Sequence, residues 1–235
     1  MRTHWEQEMI ILKKAVAKQA ERVEWAVHQS LNALEQKNVN LLLDIIGQDD
    51  EIDREEVRLE EECLKVLALH QPVAGDLRYI ITLLKVNTEL ERIGDLAVNV
   101  VERMMNLLAL RGETRPIDMI PMFQEVFQML KKALDAFLGR DCFTASQVVS
   151  LDDQVDRLHQ NNYHTILQKL KGEDPPVEAL LDWLNISRNL ERMADCCTNI
   201  GEDVLYLEQG KILRHIPAVS PDENEQEESW PVKEY

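Results

Sequence analysis

The sequence repeats itself once, and this duplication constrains the fold more than any other feature. Residues 90–95 read LERIGD and residues 190–195 read LERMAD, an offset of 100. Residues 49–54 read DDEIDR and residues 152–157 read DDQVDR, an offset of 103. Because a difference of three residues fits within a loop, the two halves of the chain are predicted to share one fold.

Apolar residues recur at helical spacing through most of the chain, as on the stripe that begins with Leu83, Val86 and Leu90. Only 5% of the residues are aromatic, and eight glycines and eight prolines provide little turn chemistry. Helices are therefore favoured over sheets, and we predict an all-α protein of six long helices. The first five predicted helices cover residues 5–37, 39–70, 76–110, 118–139 and 141–171. The sixth begins at Pro175-Pro176 and runs to about Gln209.

The six helices are predicted to form two tandem, pseudo-symmetric three-helix bundles. The first bundle takes residues 1–112 and the second takes residues 117–212, with a linker around residues 111–116. Residues 213–235 lose the helical period and are rich in acids, which predicts a loose acidic C-terminal tail.

The charge of the chain restricts its function. It has 26 Lys and Arg against 43 Asp and Glu, a formal net charge of −17, which opposes binding to nucleic acid or to an anionic bilayer. No stretch reaches the roughly 18 uncharged apolar residues of a membrane helix, and the N-terminus lacks a signal-peptide core. The four cysteines form no Cys-x-x-Cys motif. We therefore expect a cytoplasmic protein with reduced thiols.

Each half of the chain carries two pairs of acids spaced four residues apart. On a helix this spacing places both carboxylates side by side, where they repel each other. The pairs on the second helix of each half are predicted within its apolar stripe, and those on the third helix roughly opposite the stripe. The pairs are Asp49 with Asp53, Glu91 with Asp95, Asp152 with Asp156, and Glu191 with Asp195.

Two interpretations of these acids stay open from their spacing alone. Carboxylates from neighbouring helices suit hard cations such as Mg, Mn, Ca or Fe. Alternatively, the acids form salt bridges with the arginines that follow them, or those arginines contact a partner protein. The arginines are Arg54, Arg92, Arg157 and Arg192, of which Arg92 and Arg192 are candidates for partner contact. Candidate accessory ligands nearby are Glu56, Asn99, His159 and Asn199.

A metal-dependent phosphatase or other hydrolase is the alternative from a different functional class. It would need a proton donor near the acids, for which His159 is the visible candidate, although the first half has Glu56 at that position. The chain has no Gly-rich phosphate loop, no HExxH motif and no GxSxG motif. His159 is more simply interpreted as a polar core residue, so we expect that the protein is not an enzyme.

At these duplicated acids the chain resembles the PhoU family of phosphate-uptake regulators. Residues 76–78 (DLR), followed by residues 90–95 and Asn99, look like the first signature of that family. Residues 190–200 and the ending YLEQG at 206–210 look like the second signature. The pattern differs at Met193-Ala194 and Cys196-Cys197, where Ile-Gly and His-Ala are usual in the family.

The resemblance spans about residues 5–212 and implies two symmetric bundles, with metal clusters of Fe, Mn, Mg or Zn held by all eight paired acids. It implies a non-enzymatic negative regulator of phosphate uptake and of the phosphate-starvation two-component response. The implied partners are the ATPase of the phosphate ABC transporter and a sensor histidine kinase. A relative that regulates a sodium–phosphate cotransporter is the alternative within the fold. A homodimer is also expected, because long amphipathic helices often leave a second apolar strip.

Overall fold

The computed structural model describes residues 2–110 and 117–210, which form six helices and, within those ranges, no strand. Every predicted helix is confirmed, with ends that differ from the prediction by at most three residues. The predicted linker at 111–116 and the predicted tail at 213–235 lie outside the described residues. The helices are α1 (Arg2–Gln36), α2 (Val39–His70), α3 (Ala74–Ala109), α4 (Ile120–Gly139), α5 (Cys142–Leu170) and α6 (Val177–Gln209).

Short polar side chains determine where α2 and α5 begin. Asn38 Oδ1 accepts a hydrogen bond from the backbone N–H of Asn40 at 3.0 Å, and Asp141 Oδ1 accepts one from Phe143 at 2.9 Å. These caps are 103 residues apart, the same offset as the repeat of the α2 and α5 acids. The same local chemistry therefore starts the equivalent helix in both halves. At the other end of the fold, α6 ends at Gly210, whose φ of 70° favours a residue without a Cβ.

The helices of each half pack together as a three-helix bundle, which confirms the predicted all-α architecture. The halves are joined where α3 packs along α6 and α1 packs along α4. Lys85 Nζ of α3 lies 2.9 Å from Asp203 Oδ1 of α6, and Arg103 Nη1, five turns further along α3, lies 3.6 Å from Asp182 Oδ1 near the start of α6. The helices α3 and α6 therefore run antiparallel at the junction of the two halves.

One continuous hydrophobic core runs through both halves. Leu90 on α3 and its counterpart Leu190 on α6 are fully buried in it. Three of the four free cysteines, Cys63, Cys196 and Cys197, are buried in this core, where they pack as small apolar residues, and Cys142 is half-buried. Among the helices of the described ranges, none is long and apolar enough to cross a membrane.

Candidate metal centres

The first acidic cluster forms where α2 packs against α3. It contains Asp49 and Asp53 of α2 and Asp95 of α3, each with one carboxylate oxygen within 4.8 Å of the others. Burial, followed by the charges of Asp53 and Asp95, raises the pKa of Asp49 to about 6. Glu91, one turn before Asp95, belongs to the same group, since burial and then the charges of Asp95 and Asp53 raise its pKa. The acid pairs of α2 and α3 therefore share one site.

A second group of acids, the second cluster, lies between α5 and α6, although its carboxylate oxygens do not all approach within 4.8 Å of one another as those of the first cluster do. Burial, followed by the charges of Asp156 and Asp195, raises the pKa of Asp152 to about 6. Burial and the charges of Asp195 and Asp156 likewise raise the pKa of Glu191. The tertiary structure thus brings together four acids in each half, and it pairs the second helix with the third.

The prediction that the α2 and α5 acids lie within the buried stripe is wrong in detail. Asp53 is exposed, and Asp49, Asp152 and Asp156 are half-buried. The acids lie at the edge of the stripe, because α3 and α6 cover only one side of each acid pair. On α3, Asp95 is exposed as expected, whereas Glu91 is half-buried.

The hydrogen bonding of the clusters fits a cation better than a salt bridge. Oδ1 of Asp49 and Oδ1 of Asp152 are buried and have no hydrogen-bond partner, although a buried acceptor normally has one. Among the described residues, none of the eight paired acids forms an ion pair with a Lys or Arg. Arg54 instead pairs with Asp50 at 3.7 Å, and Arg92 with Glu89 at 3.2 Å. Near Asp152 the Thr198 hydroxyl partly offsets the rise in the carboxyl pKa that burial causes, whereas no donor among the described residues has this effect on Asp49. A buried carboxylate oxygen without a donor suits an oxygen-binding cation, and Asp49 fits this description better than Asp152.

The two clusters differ in the charges around them. Arg188 and Arg192 lower the pKa of Glu191, which partly offsets the effect of the neighbouring acids. Arg92 also acts on Asp195 from the other half of the chain, again lowering its pKa. The residue equivalent to Arg188 in the first half is Thr88, and the charges that shift the pKa of Asp49 are those of the acids Asp53, Asp95 and Asp50. The first cluster is therefore the stronger candidate for binding a cation.

Comparison with known proteins agrees with this duplicated architecture. The family model of the PhoU domain matches the sequence twice, over residues 16–104 and 119–204, and these matches correspond to the two halves of the chain. The chain belongs to the PhoU family. Among curated relatives it is 35% identical over 208 residues to the phosphate-specific transport system accessory protein PhoU homolog of Aquifex aeolicus, covering 86% of this chain and 92% of that protein. It is 31% identical over 215 residues to PhoU homolog 1 of Thermotoga maritima, covering 90% and 91%.

Solved PhoU structures share the fold across nearly their whole length. The crystal structure of PhoU from Pseudomonas aeruginosa superposes with a TM-score of 0.85 at 31% identity, covering 88% of this chain and 100% of that one. The phosphate transport system regulatory protein PhoU from Streptococcus pneumoniae gives a TM-score of 0.81 at 25% identity, covering 89% and 99%.

The structure explains one departure of this chain from the PhoU pattern, the alanine at position 194. In the first half, a Cβ added to Gly94 would lie 3.3 Å from the Ile52 side chain, which is tighter than most packing contacts. In the second half, Ala194 stands at the position of Gly94, and the smaller Val155 stands at the position of Ile52. The extra methyl group on α6 is thus matched by one fewer on α5, as expected for a core that conserves volume.

This exchange of volume leads to a testable expectation. We expect Gly94→Ala to destabilise the protein by about 1 kcal/mol, because overpacking exceeds the gain in helix propensity. The double variant Gly94→Ala with Ile52→Val copies the second half and should recover most of that loss. Urea denaturation of the three proteins measures both effects. Gly47→Ala is the control, since a Cβ there has nothing within 4 Å and should stabilise α2.

Of the two predicted partner-binding arginines, Arg92 has an additional contact at the junction of the halves. Its guanidinium binds Glu89, which is only 8% exposed and receives a hydrogen bond at 3.2 Å from Asn199 of α6. Asn199 thus contacts the α3–α6 junction. Arg192 is exposed on α6. Sequence reasoning missed Glu89, although an acid directly before the buried Leu90 was a signal that this face of α3 meets another helix.

The other candidate accessory ligands lie near the clusters to different degrees. His159 is half-buried on α5, with its Nδ1 3.0 Å from Ser187 Oγ of α6, and burial lowers its pKa while Asp156 raises it. Glu56 is half-buried beside the first cluster, and burial followed by Glu60 and Asp53 raises its pKa. Asn99 is exposed on α3, one turn after Asp95.

Proposed function

We propose that this chain is a metal-binding negative regulator of phosphate uptake and of the phosphate-starvation response. The observation that carries the proposal is the acidic cluster between α2 and α3, in which Asp49, Asp53 and Asp95 converge and Asp49 Oδ1 is buried without a hydrogen-bond partner. The repeated acids between α5 and α6 also have such an oxygen, Asp152 Oδ1. The relatives support the phosphate role, since they are named phosphate-specific transport system accessory proteins. Those names describe accessory components of a transport system, which supports regulation without catalysis.

In this proposal each cluster binds a metal ion, and the ion fixes the packing of the two helices that carry the acids. Asp49, Asp53, Glu91 and Asp95 would bind metal between α2 and α3, and Asp152, Asp156, Glu191 and Asp195 would bind it between α5 and α6. A bound Fe, Mn, Mg or Zn ion would neutralise carboxylates that otherwise repel one another. Without neutralisation, the acids of α2 and α3 favour separation of the helices. When a bound ion neutralises these acids, α2 and α3 would stay at a fixed distance from each other, so that their outer surface has a single conformation.

We propose that this surface contacts the ATPase of a phosphate ABC transporter and a sensor histidine kinase in the cytoplasm when phosphate is plentiful. Arg92 and Arg192 are the proposed contact residues, since Arg92 is partly exposed and Arg192 is exposed beside the second cluster. We also propose a homodimer, which would present two copies of this surface.

The test combines metal analysis with a cellular readout. We expect purified wild-type protein to retain stoichiometric metal, and the variant with alanine at Glu91, Asp95, Glu191 and Asp195 to lose it, because each cluster then has only two of its four carboxylates. In a strain that lacks the wild-type gene, the variant should also fail to repress phosphate uptake under phosphate-rich conditions. Elemental analysis and labelled-phosphate uptake are the measurements.

A variant with the same change in charge but intact clusters controls for nonspecific effects. Alanine at the exposed acids Glu21, Asp135, Glu173 and Glu178 removes four negative charges outside α2 and outside both clusters. This control should keep both metal and repression. If the cluster variant represses phosphate uptake as well as the wild type does, the metal-dependent mechanism is wrong. If neither protein affects uptake, the phosphate role itself is wrong.

A further inference from the structure

The outer face of α2 carries apolar side chains that no part of the described chain covers. Val39, Leu43, Val57 and Leu64 are 46–53% exposed. Leu43, Val57 and Leu64 are separated by multiples of seven residues and Val39 lies one turn before Leu43, so the four lie along one side of the helix. The exposed ion pair of Asp50 with Arg54 lies between Leu43 and Val57 on that side. We call these four residues the α2 stripe.

The second half of the chain has a different set of exposed apolar side chains on its corresponding helix α5, namely Phe143, Tyr163 and Leu167. At the offset of 103, the residues that correspond to Leu43 and Val57 are Ser146 and Gln160 on α5. The fold therefore does not require leucine and valine at those two positions. Exposed apolar side chains at these two positions are therefore specific to the first half, which indicates a role for this part of the α2 surface.

The two helices also differ in net charge, and α2 is the more acidic of the two. Helix α2 contains ten Asp or Glu and three Arg or Lys, which gives it a net charge of −7. Helix α5 contains three Asp and no Glu, with one Arg and one Lys, which gives it a net charge of −1. The three bases of α2 are each paired with an acid of the same helix: Arg54 with Asp50, Arg58 with Glu55, and Lys65 with Glu62. Exposed acids such as Glu60 and Glu61, between Val57 and Leu64, are in excess.

We infer that the α2 stripe is the docking surface for a basic amphipathic helix of a partner protein. Such a helix would place its apolar side chains against the stripe and its Lys or Arg residues beside the surrounding acids. A second copy of this chain is disfavoured as the occupant, because two α2 faces with exposed acids such as Glu60 and Glu61 would repel each other. An anionic membrane or a nucleic acid is disfavoured for the same reason. This inference rests on the proposed function in requiring that the chain acts by binding a partner protein.

A model peptide tests the inference directly. The probe is a fluorescein-labelled 18-residue helix of leucine and lysine, titrated with purified full-length protein and followed by fluorescence anisotropy. The variant Leu43→Ser with Val57→Gln copies α5, so it should fold normally, and a circular dichroism melt checks this. We expect it to bind the peptide about tenfold more weakly, because two apolar contacts are lost while every charge is kept.

Two controls separate docking from general attraction between opposite charges. Leu167→Gln changes the α5 residue that corresponds to Leu64 and should leave peptide affinity unchanged. A peptide in which glutamate replaces lysine should not bind. Glu60→Gln with Glu61→Gln is a second variant that keeps the stripe, and it should weaken binding of the lysine peptide at low salt.

Equal affinity of the wild type and the Leu43→Ser, Val57→Gln variant for the lysine peptide would overturn the inference. So would light scattering that showed this variant with half the mass of the wild type, because the stripe would then join two copies of the chain. Failure of the proposed function is a separate result, seen as unchanged phosphate uptake with the cluster variant, whatever the peptide titration shows.

Discussion

Removing metal with a chelator is expected to lower the melting temperature by about 5–10 °C for each cluster that was occupied. A ligand present at one hundred times its Kd stabilises a fold by about 2.7 kcal/mol, and 1 kcal/mol corresponds to about 2–4 °C in a protein of this size. The physical reason is that burial and then mutual repulsion disfavour the charged carboxylates, which raises the pKa of Asp49 and Asp152 to about 6. Differential scanning calorimetry at constant protein concentration, with and without chelator, measures the shift.

Acid should partly replace the metal in the chelated protein. The pKa of Asp49 and Asp152 is higher in the folded protein than its ordinary value of 3.8, so the folded state takes up protons more readily than the unfolded state. The contribution of these acids to stability is therefore unfavourable above about pH 6 and is relieved as the pH falls below it. We expect the chelated protein to melt at a higher temperature at pH 5 than at pH 7.5.

The cluster variant is the control for the chelator experiment. With alanine at Glu91, Asp95, Glu191 and Asp195, little metal is bound and most of the repulsion is gone. Its melting temperature should not respond to the chelator. If elemental analysis shows that the wild type has lost metal while its melting temperature is unchanged, the clusters do not couple metal binding to the stability of the bundles.

Leu90→Ala is expected to cost about 2–5 kcal/mol, because it leaves a cavity at a fully buried position. The hydrophobic core is continuous through both halves, so the loss should lower the melting temperature of the whole protein by about 5–15 °C in a single transition. Leu190→Ala, at the equivalent position of the second half, should have a similar effect. Calorimetric melting of both variants measures the size of the effect and the number of transitions.

An exposed leucine provides the comparison for these two variants. Leu69→Ala, at a side chain that is 65% exposed near the end of α2, should change stability by less than about 0.5 kcal/mol. Two separate transitions in Leu90→Ala, with only one shifted from the wild type, would show that the halves unfold independently. In that case the α3–α6 junction would not join the halves into one folding unit.

The helices could be predicted well because their signals are local. Caps such as Asn38 and Asp141 act on backbone groups two residues away, and Gly210 ends α6 through its own backbone conformation. The burial of Leu90 and Leu190 can be predicted because apolar residues recur every three or four positions on the packed face of a helix. These interactions span at most a few turns, so the order of residues alone is sufficient to find them.

The sequence was sufficient to identify the paired acids, but it could not show which pairs lie together in the folded protein. Spacing by four residues places Asp49 beside Asp53 on any helix, whatever packs against it. Whether α2 faces α3 or another helix depends on the arrangement of all three, and so does the buried position of Asp49 Oδ1. Glu89 was missed for the same reason, since its burial comes from α6 in the other half.

The sequence alone determined the duplication, the six helices and the eight paired acids of this protein. Only the tertiary structure decided that the acids converge as two clusters, that Glu89 is buried at the junction, and that the α2 stripe stays uncovered. The physical reason is the range of the interactions. Helix formation depends on hydrogen bonds and side-chain periods within a few residues, whereas the environment of each helix face depends on which distant segment packs against it.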